Sequence, residues 1–135
     1  LISFQELLTK YNIQVSGVFH VGAHECEELM YIYWIEGQEL LVNNMKKKNK
    51  NIYHGLIDEV DDKEVVFNIS NNRESSSILE FGSHLKHITY SSHKKTIRLD
   101  TLIEKNNIPI DTLNFLNLDI QGVELRALKF IKKIY

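Results

Sequence analysis

Cysteine occurs once, at Cys26, and proline once, at Pro109. A single thiol excludes an intramolecular disulfide framework and a cysteine-rich zinc site. Cys26 itself reads as a small helix-packing residue. No apolar run approaches the roughly 20 residues that cross a bilayer, so no membrane span is expected. A surplus of charge is also lacking. Sixteen Lys and Arg face 18 Asp and Glu, for a net charge of −2 and a pI near 6.3. Without a basic excess, a nucleic-acid partner is not expected. Residues Leu1–Asn12 carry Glu6 and Lys10 and no uninterrupted apolar stretch, unlike a signal peptide. A cytoplasmic setting is therefore the expectation. The Gly-x-Gly-x-x-Gly fingerprint of dinucleotide folds is missing too, which argues against an NAD-dependent oxidoreductase. There is no Gly/Ser linker and no internal repeat. The lysine-rich tract Met45–Asn51 reads as a solvated helix end.

What remains is an ordinary globular composition, 43% hydrophobic and 25% charged over 135 residues. That suits one domain, residues 1–135, able to bury a core. Ser3 followed by Glu6 is a capping-box pattern, and Phe4, Leu7 and Leu8 give an apolar face, so a short helix is expected over about 3–10. Val15–Val21 is a near-continuous apolar run of the kind a buried parallel strand needs. Further strands are expected over 31–35, 52–57, 65–69, 96–99 and 113–118, rich in β-branched and aromatic residues. Helices are expected over 40–48, from a cap at Asp100 to Lys105, and over 123–133. The alternation predicts an α/β fold with a mostly parallel sheet. Only Ala23–Met30 separate the first two strands, fewer than the about 10–12 residues a crossover requires. Either the connecting helix is a single turn or residues are missing near 29–31, and the second is the expectation.

Ligands of such sheets bind beyond the C-terminal strand ends. Four positions there carry usable chemistry: Gly22-Ala23-His24-Glu25, Glu36, Asp58 and Asp119. Gly22 allows close backbone approach to a ligand. Glu36 ends the second strand, where a carboxylate can accept both hydroxyls of a ribose. Asp58 ends the third strand and can accept from an adenine amino group. Asp119 and Glu124 lie in Leu118-Asp119-Ile120-Gln121-Gly122-Val123-Glu124, where a carboxylate can position a hydroxyl or act as a base. His84 and His87 are three residues apart, but no carboxylate completes a metal site, so no metal is expected. Ser75-Ser76-Ser77 has no nucleophile elbow around it.

Five blocks, in order, resemble the FkbM-type methyltransferase family. They are Gly17-Val18-Phe19-His20-Val21-Gly22-Ala23-His24-Glu25, Trp34-Ile35-Glu36, Ser75-Ser76-Ser77-Ile78-Leu79, Ile97-Arg98-Leu99-Asp100-Thr101-Leu102-Ile103 and the stretch from Phe115 to Leu128. The resemblance implies a Rossmann-like class I sheet of seven strands, the last of which are not visible before Tyr135. It implies S-adenosylmethionine as cofactor and O-methylation of a hydroxyl on a sugar or related small acceptor. By the same resemblance Gly22, Ala23, His24, Glu36, Asp58 and Asp119 would bind the cofactor. Asp119, Glu124 and His24 would serve catalysis. A homo-oligomer covering an open sheet edge is the expected assembly. His20, Asn117 and Gln121 stand where the family has an acid, a lysine and a glutamate. Those departures leave an alternative, a non-catalytic nucleoside-binding or interaction module on the same fold.

Overall fold

The computed structural model describes residues 2–22, 32–48, 51–70, 76–80 and 88–129. In chain order the elements are α1 (Phe4–Lys10), β1 (Val18–Val21), β2 (Ile32–Glu36), α2 (Glu39–Met45), β3 (Ile52–His54), β4 (Glu64–Ser70), β5 (Ile88–Lys95), α3 (Leu99–Asn106), β6 (Phe115–Leu118) and α4 (Glu124–Lys129). Strands β3-β2-β1-β6 form a four-stranded sheet in that order, parallel at every pairing. The fold is α/β and compatible with a Rossmann-like arrangement. β1 and β2 pair in parallel although little chain separates them. Their connection, residues 23–31, lies outside the described residues.

Alternation along the strands assigns the two faces of the sheet. Phe19, Val21 and Ile35 pack on one face with Leu99, Leu102 and Ile103 of α3 and Ala127 of α4. Ile32, Trp34 and Ile52 pack on the other with Val42 of α2. His20 is buried on this second face, stacked on Trp34 with ring centroids 5.3 Å apart and 3.1 Å from the Asn117 amide. Its register partners are Trp34 and Asn117, so a polar group inside the sheet layer has a polar neighbour on the next strand.

Several expected boundaries shift, each for a local reason. The capping box at Ser3 and Glu6 forms with both bonds and starts α1, whose residues 5–7, 9 and 10 are exposed. The third strand leaves the sheet at Gly55. Leu56 and Asp58 instead bond to Ile97, so residues 96–97 make an isolated parallel bridge rather than a strand. Asp100 does not cap α3. Arg98 holds the cap position, and Asp61 supplies the carboxylate, accepting from Arg98 N–H and Thr101 Oγ1 at 2.8 Å each. Asp100 sits in the first turn and pairs with Arg98. β4 does not join the parallel sheet. It pairs antiparallel with β5, a polar segment with no strand signature of its own, as a separate two-stranded unit. The helix expected over 123–133 is described from Glu124 to Lys129.

Candidate functional site

Strand register builds the site. Val21 is aligned with Ile35 on one side and with Leu118 on the other. The next residue of each strand is Gly22, Glu36 or Asp119, so all three stand at one level on the C-terminal rim. They line one small cleft of about 50 Å³, open to solvent at its mouth. Phe67 of β4 and Ser76, Ser77 and Ile78 close the opposite side.

Gly22 is dictated by the approach of two strand ends. Its φ is +91°, and a Cβ there would lie 1.8 Å from the carbonyl oxygen of Asp119. Gly22 N–H donates to the Ile35 carbonyl at 2.8 Å, and Asp119 N–H donates to Val21 at 2.9 Å. The three strand ends are thereby laced together by backbone bonds.

Glu36 is buried, with 6% of its surface exposed. Its Oε1 accepts from Gln38 N–H at 2.7 Å, which folds the chain from β2 into α2. His54 of β3 lies 3.1 Å from the Gly37 carbonyl and, as the Nε2–H tautomer, ties down the same turn. Asp119 is exposed on the rim, and its Oδ1 accepts from Gln121 Nε2 at 2.6 Å.

Glu124 is engaged differently. Its carboxylate accepts from Ile120 N–H at 3.0 Å and from Gly122 N–H at 3.0 and 3.2 Å. Partial burial works to raise its pKa, but bonds from the N–H groups of Glu124 itself, Gly122, Ile120 and Gln121 outweigh it. The carboxyl therefore lies below its ordinary value. It holds the turn into α4 and is a weak proton acceptor.

Asp58 is not at the cleft. Its fully buried carboxylate pairs with Arg126 of α4 and with Lys63 at 3.7 Å, and its Oδ1 accepts from Glu59 N–H at 2.8 Å. The departure of the chain from the sheet at Gly55 carries Asp58 past the rim, so its carboxylate braces α4 instead of lining the cleft. Ala23 and His24 lie outside the described residues, as do Ser75, His84 and His87. The reading of the sequence missed Gln38 and Phe67 as cleft residues. It noted Ser76 and Ser77 only as serines without a nucleophile elbow and as part of a resemblance. Only the tertiary fold brings the β4–β5 unit over the rim.

The cleft lining among the described residues carries two carboxylates, two serine hydroxyls and an amide, and no Lys, Arg or His. That donor set suits a cationic or hydroxylated ligand and repels phosphate. Among the described residues no cluster of His, Cys, Asp and Glu has the makings of a metal site, and no helix is long and apolar enough to cross a membrane. Comparison with protein-family models, with curated proteins and with solved structures returns no match.

Proposed function

We propose that the chain is an S-adenosylmethionine-dependent methyltransferase of the class I kind, acting on a hydroxyl of a sugar or related small acceptor in the cytoplasm. The observation that carries the reading is the single cleft shared by Gly22, Glu36 and Asp119 at adjoining strand ends. The acidic, phosphate-averse lining fits a nucleoside that bears a positive sulfur and no phosphate. Bound there, the cofactor would supply an electrophilic methyl group.

The chain's own residues would align the reactants. Glu36 accepts from ribose hydroxyls, deep in the cleft where water competes poorly. Asp119, exposed at the mouth, orients the sulfonium end or the acceptor hydroxyl. Glu124 keeps the 120–122 turn in place, its carboxylate engaged by backbone N–H groups.

Titration calorimetry with S-adenosylhomocysteine tests the reading. Binding to the wild-type chain, weakened by Glu36→Ala, supports it; absence of heat ends it. One observation favours the second reading, a nucleoside-binding module without turnover. The carboxylate nearest Asp119 in sequence, Glu124, is tied to backbone N–H groups and acid-shifted. Binding without methyl transfer across a glycan panel would select that module.

A further inference from the structure

Gln121 has a φ of +55°, in the left-handed region that residues with a Cβ rarely enter. Such a conformation persists only where its surroundings over-determine it, and it gathers at functional sites. Three sets of contacts hold it here. Ser77 Oγ donates to the Gln121 carbonyl at 3.0 Å. The Glu124 carboxylate binds the N–H groups of Ile120 and Gly122 on either side. The Gln121 amide turns back and donates to Asp119 Oδ1 at 2.6 Å.

Ser77 is itself anchored. It is 4% exposed, and its backbone exchanges bonds of 2.8 and 2.9 Å with Asn68 of β4. Its Oγ also accepts from Leu79 N–H at 3.1 Å. The two-stranded β4–β5 unit thus grips the turn that follows β6. Asp119 Oδ2 accepts no hydrogen bond among the described residues, so one carboxylate oxygen is held and the other stays open to a ligand. A carboxylate on an exposed rim would otherwise exchange among staggered rotamers. A glutamate at 121 would set two like charges side by side, whereas an amide donates to the carboxylate without that repulsion.

We propose that Gln121 and Ser77 are positioning residues that aim the Asp119 carboxylate across the cleft. The proposal rests on the methyltransferase reading for its purpose. Its test does not. Three-bond couplings to Asp119 Cγ in the labelled chain report its χ1 rotamer. The wild type shows one rotamer. Gln121→Met, which keeps the length and removes the donor, spreads Asp119 over at least two. Ser77→Ala does the same by releasing the turn, and Ser77→Thr, which keeps the hydroxyl, restores the single state. Amide shifts of β1 and β6 verify the fold in each variant.

A single, unchanged rotamer in Gln121→Met overturns the proposal, whatever Ser77→Ala does. Failure of Ser77→Thr to restore it, in a folded chain, removes the Ser77 link. Calorimetry with S-adenosylhomocysteine on the wild type is read separately. No binding together with rotamer spreading in Gln121→Met ends the methyltransferase reading and leaves the support of Asp119 standing. Binding with unchanged rotamers does the reverse.

Discussion

Replacing Gly22 with alanine tests the junction on which the cleft depends. The added Cβ would fall 1.8 Å from the Asp119 carbonyl oxygen, about 1.2 Å inside the 3.0 Å that real Cβ atoms essentially never breach. The obstacle is backbone, so the ends of β1 and β6 must part. Parting them stretches the Asp119-to-Val21 bond and tilts the Gly22-to-Ile35 bond, now 2.9 and 2.8 Å. Each is worth about 1 kcal/mol net. Holding a side chain at positive φ adds about 1–2 kcal/mol. The expected loss is about 3–4 kcal/mol, against about 7–20 kcal/mol for a chain of this size. The variant should fold with a Tm lower by about 10–15 °C. Gly122→Ala is the internal control. Its φ is also positive, but among the described residues the Cβ meets only the flexible end of Leu79 at 2.9 Å, so it should cost about 1–2 kcal/mol. Differential scanning calorimetry measures both. A Gly22→Ala Tm within about 3 °C of wild type, or a larger loss for Gly122→Ala, would refute the packing argument.

Glu36→Ala should weaken S-adenosylhomocysteine binding by about 1–3 kcal/mol, or roughly 5- to 150-fold in Kd, with unchanged affinity removing it from the ribose. Arg126→Met leaves the buried Asp58 carboxylate with Lys63 at 3.7 Å as its one cation among the described residues, beside the Glu59 N–H. Breaking such a pair costs about 3–5 kcal/mol when both partners are buried. Because Arg126 is 27% exposed, about 2–4 kcal/mol is expected in urea unfolding. The double variant with Asp58→Asn should recover most of it, and purely additive losses would count against the pair. The depressed pKa of Glu124 adds stability that is complete above its ordinary value of 4.5. That stability is lost as pH falls through the lower folded-state value. Glu124→Gln should therefore lose less stability than wild type between about pH 5 and pH 3. Parallel curves would show that the turn bonds do not hold the ionised form.

The sequence by itself determined the parts whose causes are local. The Ser3–Glu6 capping box lies within one helical turn, and its pattern is sufficient to start α1. The apolar runs at β1, β2 and β6 mark strands, of which β1 and β2 are mostly buried and β6 is half-buried at the end of the strand order. Once those three are in register, Gly22, Glu36 and Asp119 follow as the residues just past the last aligned pair. Their common rim was therefore legible before any coordinates.

Tertiary structure alone decided whatever depended on partners far along the chain. β5 reads as a polar segment and becomes a strand only because β4 pairs with it. Asp58 has the position of a ligand residue, but Arg126, 68 residues later, takes its buried carboxylate because an unpaired charge could not remain there. The cap expected of Asp100 does not form, and the start of α3 is instead tied to Asp61, which the loop after β3 brings within 2.8 Å of Arg98 N and Thr101 Oγ1. Ser77 meets Gln121 across 44 positions for the same reason. Local pattern specifies which backbone conformation a segment prefers, whereas the pairing of one polar group with another is settled only when burial removes water from both.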